Sequence, residues 1–106
     1  MLPNNLFKNG FDKKESGDIN VNSLNSIRLF IGNNFEKQKI INTYKTSYGL
    51  KHIVEKMINN YVSNGDFIAS MILEGYEYKR DSRLSPNAYF NITKKSITKF
   101  ELESKK

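Results

Sequence analysis

Apolar residues first settle into a helical period after Ser23, where Leu24, Ile27, Phe30 and Ile31 share one face and Gly32 offers a C-terminal stop. A fuller stripe follows. Leu50, Ile53, Val54, Met57, Ile58 and Tyr61 recur at helical spacing, with Thr46 or Ser47 placed to cap the start. The opposite face carries Lys51, His52, Glu55, Lys56 and Asn59. A third helix opens with Ser63 as N-cap, Asp66 completing a capping box and Val62 positioned to staple onto Phe67. It continues through Ile68, Met71 and Ile72, and Gly75 stands where a left-handed C-terminal cap is wanted.

Beyond Gly75 the period changes from 3.6 to 2. Tyr76, Tyr78 and Arg80 alternate with Glu77, Lys79 and Asp81; after a turn-rich loop over 82–87, Ala88, Phe90 and Ile92 alternate with Tyr89, Asn91 and Thr93. Two such runs around Pro86-Asn87 predict a β-hairpin. The tail from Ser96 reads as a short helix or a frayed end, and Ile40-Ile41 leaves residues 35–45 open between strand and helix. Residues 1–21 are polar, with apolar positions too scattered for either period. The expectation is a small single α+β domain over 22–102, winged-helix-like, with helices followed by a C-terminal β-hairpin. A flexible segment over 1–21 precedes it, and a disordered tail over 103–106 follows.

Composition narrows the chemistry. The chain has 106 residues, no cysteine and one histidine, which leaves no thiolate metal site, disulfide framework, cysteine nucleophile or histidine cluster. The net charge of +6 is uneven: residues 1–34 and 35–75 carry +1 each, while 76–106 carry +4. Part of the lysine excess follows from composition, since Lys, Asn, Ile and Tyr are all abundant and all have AT-rich codons. The start Met1-Leu2-Pro3 lacks the basic and apolar regions of a signal peptide, and the longest apolar run, Phe67 to Leu73, is too short to span a bilayer. A cytoplasmic protein with no membrane partner is expected.

No catalytic arrangement stands out. Asp66 and Glu74 lie eight residues apart, about 12 Å along a helix, too far for one metal ion. Asp66 with Glu77-Tyr78-Lys79 only superficially matches the acidic spacing of a metal-dependent nuclease, and Asp66 already has a capping role. His52 has no catalytic partner, and no glycine-rich phosphate loop is present. The expectation is a non-enzymatic protein without cofactor or metal. For nucleic acid, the helix after Ser63 is a poor reader of a DNA groove, because its polar face offers Asn64, Asp66, Ser70 and Glu74 but no cation. The hairpin suits it better: Lys79, Arg80, Arg83, Lys94 and Lys95 are placed to hold phosphates, and Tyr89 to stack on a base.

One block stands out as a unit: Thr46-Ser47-Tyr48-Gly49-Leu50-Lys51-His52, Tyr61-Val62-Ser63-Asn64-Gly65-Asp66-Phe67-Ile68, Gly75-Tyr76 and Ser85-Pro86-Asn87-Ala88-Tyr89-Phe90-Asn91. It resembles a group of short, mostly uncharacterised bacterial proteins of plasmids, prophages and other mobile elements. The resemblance covers a little under half the chain and implies genetic context rather than an activity. It sharpens two expectations: a nucleic-acid-binding accessory or regulatory protein of a mobile element, or an anti-CRISPR-type inhibitor that binds a Cas effector or its guide RNA. Tyr48, Lys51, His52, Glu55, Asp66 and Glu74 are the candidate partner-binding residues. DNA or RNA is the expected partner, with a Cas effector or a replication protein beside it, and monomer and homodimer both stay open.

Overall fold

The computed structural model describes residues 2–105 as four helices and two antiparallel sheets. The helices are α1 (Asn25–Asn34), α2 (Ser47–Ile58), α3 (Asn64–Leu73) and α4 (Lys94–Glu103). The strands are β1 (Leu6–Phe7), β2 (Gly10–Phe11), β3 (Lys37–Asn42), β4 (Tyr78–Arg80) and β5 (Ala88–Ile92). β1 and β2 form a two-stranded ribbon, and the larger sheet has the order β3-β5-β4.

The predicted capping box of α3 forms by half, because the Asp66 carboxylate turns to Lys8 and not back to the Ser63 N–H. Ser63 Oγ accepts a hydrogen bond from the Asp66 N–H at 3.1 Å. At the other end Gly75 takes φ +89°, so the Tyr76 N–H reaches the Met71 carbonyl and the Gly75 N–H reaches that of Ile72. These two bonds close the carbonyls that the last turn leaves open. α2 ends in the same way on a residue without glycine's freedom: Asn59 sits at φ 55°, and the Asn60 N–H bonds the Glu55 carbonyl. Because the chain turns out of the helix there, Tyr61 leaves the apolar stripe and projects into solvent.

α3 is the interior helix. Every residue from Asn64 to Met71 is buried, between α1, α2 and the β1–β2 ribbon. Leu24 and Ile31 of α1, Leu50 and Val54 of α2, and Phe90 and Ile92 of β5 complete the centre of the core. Phe67 and Phe90 meet edge to face at 6.0 Å. A second aromatic group, Phe30, Phe35 and Phe100, seats α4 beside the end of α1.

Several expectations change. β5 pairs antiparallel with β4, but it is the centre of a three-stranded sheet with β3 on its other side, and α4 follows it. The chain therefore does not end on a free-standing hairpin, and α3 has no exposed face with which a winged helix would read a groove. Residues 35–45 resolve as β3, an edge strand whose register slips between Lys37 and Asn42. Asn91 stitches the sheet there: its Nδ2 donates to the Gln38 carbonyl at 2.9 Å, and its Oδ1 accepts from the Glu77 N–H at 2.8 Å. Gly32 does not stop α1, which continues to Asn34.

The N-terminal segment is part of the domain. Leu6 and Phe11 belong to the core, with Phe11 only 2% exposed, and Phe11 stacks on Tyr78 at 5.6 Å. The Gly65 N–H donates to the Lys8 carbonyl, and the Phe11 N–H to that of Pro86. Of the expected tail, Glu103 ends α4 and Ser104 and Lys105 form a turn; Met1 and Lys106 lie outside the described residues. No described helix is long and apolar enough to cross a membrane.

Candidate functional site

Two surfaces gather the chemistry. The first is cationic and lies along the larger sheet and the start of α4. On its outer side Lys79 of β4 stands directly opposite Tyr89 of β5. Asp81 accepts the Tyr89 hydroxyl; that bond, followed by burial and the carboxylate charge, pushes the phenol above its ordinary range. Arg83 is exposed in the loop between the two strands. At the far end of β5, about 13 Å away for a strand of this length, Lys94 and Lys95 occupy the first turn of α4. Lys94 Nζ lies 4.6 Å from the centre of the Tyr44 ring. Lys95 and Lys99 border one shallow depression together with Glu36.

β3 adds Lys37 and Lys39 beside them, both exposed, with Lys37 paired to Ile92 in the sheet. These two, and Lys99, are functional candidates that the sequence pattern did not expose. Their signal was the spacing Lys37-Gln38-Lys39, legible only once the segment is known to be a strand. None of Lys37, Lys39, Lys79, Arg83, Lys94, Lys95 and Lys99 forms an ion pair with another described residue.

Arg80 does not join this surface. Its guanidinium pairs with Asp12 at 2.9 Å, donates to the Ser85 carbonyl at 2.6 Å and lies 4.8 Å over the Phe11 ring. It braces β2 against the 81–87 loop instead of facing solvent. The acidic face of α3 is likewise not assembled. Asp66 is 8% exposed and paired with Lys8 at 3.0 Å, Ser70 is fully buried, and Glu74 is paired with Arg28 at 2.7 Å.

The second surface is a cleft of about 320 Å³. α2 contributes Tyr48 and Lys51, the α2–α3 connection Tyr61, and the first turn of α3 Asn64. Pro86 and Asn87 from the loop before β5, with Asn9 from the β1–β2 turn, close the other side. Lys51 is only 5% exposed, and its ammonium lies 4.8 Å from the centre of the Tyr61 ring and 5.4 Å from that of Tyr48. Cation–π attraction of this kind grows as the cation loses water.

Glu55 organises the base of the cleft. Its Oε1 takes the Lys51 ammonium at 2.7 Å and the Val62 N–H at 3.3 Å, while Oε2 lies 3.1 Å from His52 Nδ1. Burial alone would raise this carboxyl, but the bonds from Lys51, Val62 and His52 outweigh it and hold Glu55 below its ordinary range. His52 in turn meets Tyr48 edge to face at 4.5 Å. Of the partner-binding candidates, Tyr48, Lys51, His52 and Glu55 are thus one connected group, whereas Asp66 and Glu74 stand apart from it.

Asn64 was legible only as part of a helix start. Its Nδ2 lies 2.9 Å from Asn87 Oδ1 and 3.3 Å from the carbonyls of Asn9 and Pro86, which ties three segments together. Compared with protein-family models, curated proteins and solved structures, the chain finds no match in any of the three.

Proposed function

We propose that this protein is a non-enzymatic nucleic-acid-binding accessory or regulatory protein of a mobile genetic element. It would hold the phosphates of a single strand along β5, on Lys37, Lys39, Lys94, Lys95 and Lys99 at one end and Lys79 and Arg83 at the other. The observation that carries this reading is the set of seven cations without ion-pair partners among the described residues. The placement of Lys94 and Lys95 adds to it. In the first turn of α4 they oppose the helix macrodipole, at a cost of a few tenths of a kcal/mol or more, and a phosphate laid across them would relieve that opposition. With α3 buried, the helix expected to read a major groove is closed to it, and Tyr89 beside Lys79 suits stacking on an unpaired base. The mobile-element context rests on the resemblance of the 46–93 block. The inhibitor reading loses the acidic helix face that favoured a partner with a basic groove, so nucleic acid is the partner retained.

Fluorescence anisotropy with single-stranded RNA, single-stranded DNA and duplex DNA across a salt series tests this. Single strands should bind more tightly than duplex. Lys94→Ala/Lys95→Ala should weaken binding and flatten the log–log salt slope by about 1.4, since each single-strand phosphate contact contributes about 0.7. Absence of binding at low salt, or a slope indifferent to the double variant, would remove the reading.

A further inference from the structure

We infer that the cleft between Tyr48, Lys51, Tyr61 and Asn64 is a pocket for one unpaired nucleobase of the strand bound by the cationic surface. This rests on the nucleic-acid reading above and adds to it a specific contact that no phosphate-binding lysine supplies.

The argument starts from two unmet hydrogen-bonding needs. Lys51 has three ammonium protons, yet its one hydrogen-bond acceptor among the described residues is Glu55 Oε1, and water is largely shut out by its burial. Asn64 is 6% exposed, and three acceptors around its Nδ2 fix which way the amide lies. Its Oδ1 is therefore a buried acceptor with no donor. Leaving such a group unpaired costs about 1–3 kcal/mol, which a ligand donor would recover once a small shift of the Asn64 amide opens the buried oxygen to the cleft.

A ligand for this site must bring an acceptor to Lys51 and a donor to Asn64 within one small outline. A phosphate or carboxylate answers the lysine but offers the Asn64 oxygen nothing. The edge of a nucleobase carries carbonyl acceptors and N–H donors side by side, and its flat face matches the two tyrosine rings at the mouth. A volume of about 320 Å³ lies at the small end of ligand sites, in keeping with one base rather than a larger ligand. Continuity supports the same occupant. Pro86 and Asn87, which form the far wall, belong to the same short loop as Arg83, so one loop serves both the cationic surface and the cleft.

Tyr48 and Tyr61 are 54% and 70% exposed, so Tyr48→Ala and Tyr61→Ala remove the walls without opening the core. An unchanged amide NMR spectrum away from the cleft verifies the fold. Each variant should weaken single-stranded oligonucleotide binding by about 5- to 150-fold, the range of one base–aromatic stack, and leave the salt slope intact. An oligonucleotide made abasic throughout should lose affinity for the wild type but bind the wild type and the Tyr61→Ala chain alike. Nucleoside monophosphates should shift the amides of residues 48–52, 61–64 and 87, and should still do so in Lys94→Ala/Lys95→Ala.

Normal oligonucleotide binding that ignores both tyrosine changes would overturn the pocket while the nucleic-acid reading stands. No binding of any oligonucleotide would remove both. The same shifts from inorganic phosphate would reduce the cleft to an anion contact at Lys51, and shifts from an acidic peptide but not from nucleotides would give it to a protein partner; either result overturns the inference.

Discussion

Gly65 shows how far a single residue's identity can be set by a segment distant in sequence. A Cβ built there would fall inside the Phe7 carbonyl oxygen and 2.7 Å from that of Lys8, both backbone atoms of the N-terminal ribbon. Neither can move without breaking the Gly65 N–H bond to Lys8 that docks the ribbon on α3. Gly65→Ala should therefore cost about 3 kcal/mol, the upper end of overpacking penalties, and lower the melting temperature by roughly 15 °C. A melting curve within a few degrees of the wild type would show that the ribbon is not held there. From the sequence, Ser63-Asn64-Gly65-Asp66 was legible as a helix start, and Ser63 does cap it. What could not be read was why Asn and Gly follow, or that Asp66, expected to complete a capping box, turns to Lys8 instead. Asn64 binds Asn9 and the 86–87 segment, Gly65 admits the ribbon and Asp66 takes Lys8. Those are contacts between residues more than twenty or fifty positions apart, and local propensity carries no trace of them.

Among the elements, those with a strict period were legible and those shaped by their neighbours were not. α2 follows its pattern because it buries one face, β4 and β5 form where their alternating runs pair across the 81–87 loop, and the Gly75 cap follows from glycine's access to positive φ. β3 escaped because Lys37-Gln38-Lys39-Ile40-Ile41-Asn42 does not alternate; it is an exposed edge strand with a slipped register. The interior position of α3 had a usable signal in the near-continuous apolar run from Phe67 to Leu73, since a helix apolar on most sides is a buried one. Within the sheet, the slip of β3 leaves Asn91 to do by side chain what the ladder does elsewhere. Asn91→Ala would strand the Gln38 carbonyl and the Glu77 N–H together and should cost about 2–3 kcal/mol. Urea unfolding measures that loss, and hydrogen exchange localises it: the Glu77 amide should lose protection while Lys79, which faces Tyr89 across the β4–β5 ladder, keeps it. Equal loss at both amides would mean that Asn91 supports the whole strand pair and not this joint.

For the whole molecule, the decisive question is where the domain begins. The polar, aperiodic composition of residues 1–21 suggests a loose leader, yet a few apolar residues spread through a polar segment are enough when two of them, Leu6 and Phe11, enter a core built by others. The radius of gyration, 12.6 Å over the described chain, is close to the roughly 13 Å expected when every residue of such a chain is packed. Burying Leu6 and Phe11 contributes about 1.5–3 kcal/mol each, and the ribbon also brings Lys8 to Asp66 and Asp12 to Arg80. A domain of this size is stable by only about 5–15 kcal/mol in total, so the ribbon's share is comparable with the whole margin. A chain beginning at residue 22 should consequently lose cooperative unfolding, bind a hydrophobic dye and show collapsed amide dispersion. Adding back a peptide of residues 1–21 should restore the dispersed spectrum, because the ribbon fills a gap left between α3, β4 and the 81–87 loop. A truncated chain that melts cooperatively near the full-length temperature would place the domain boundary at residue 22 after all. The consequence reaches the candidate sites as well. Arg80 holds the 81–87 loop through Asp12 and Phe11, and Asn64 holds it through Asn9 and Asn87. Loss of the ribbon would therefore release the loop that carries both Arg83 and the far wall of the cleft, and oligonucleotide affinity should fall in the truncated chain even where every sheet and α4 cation remains.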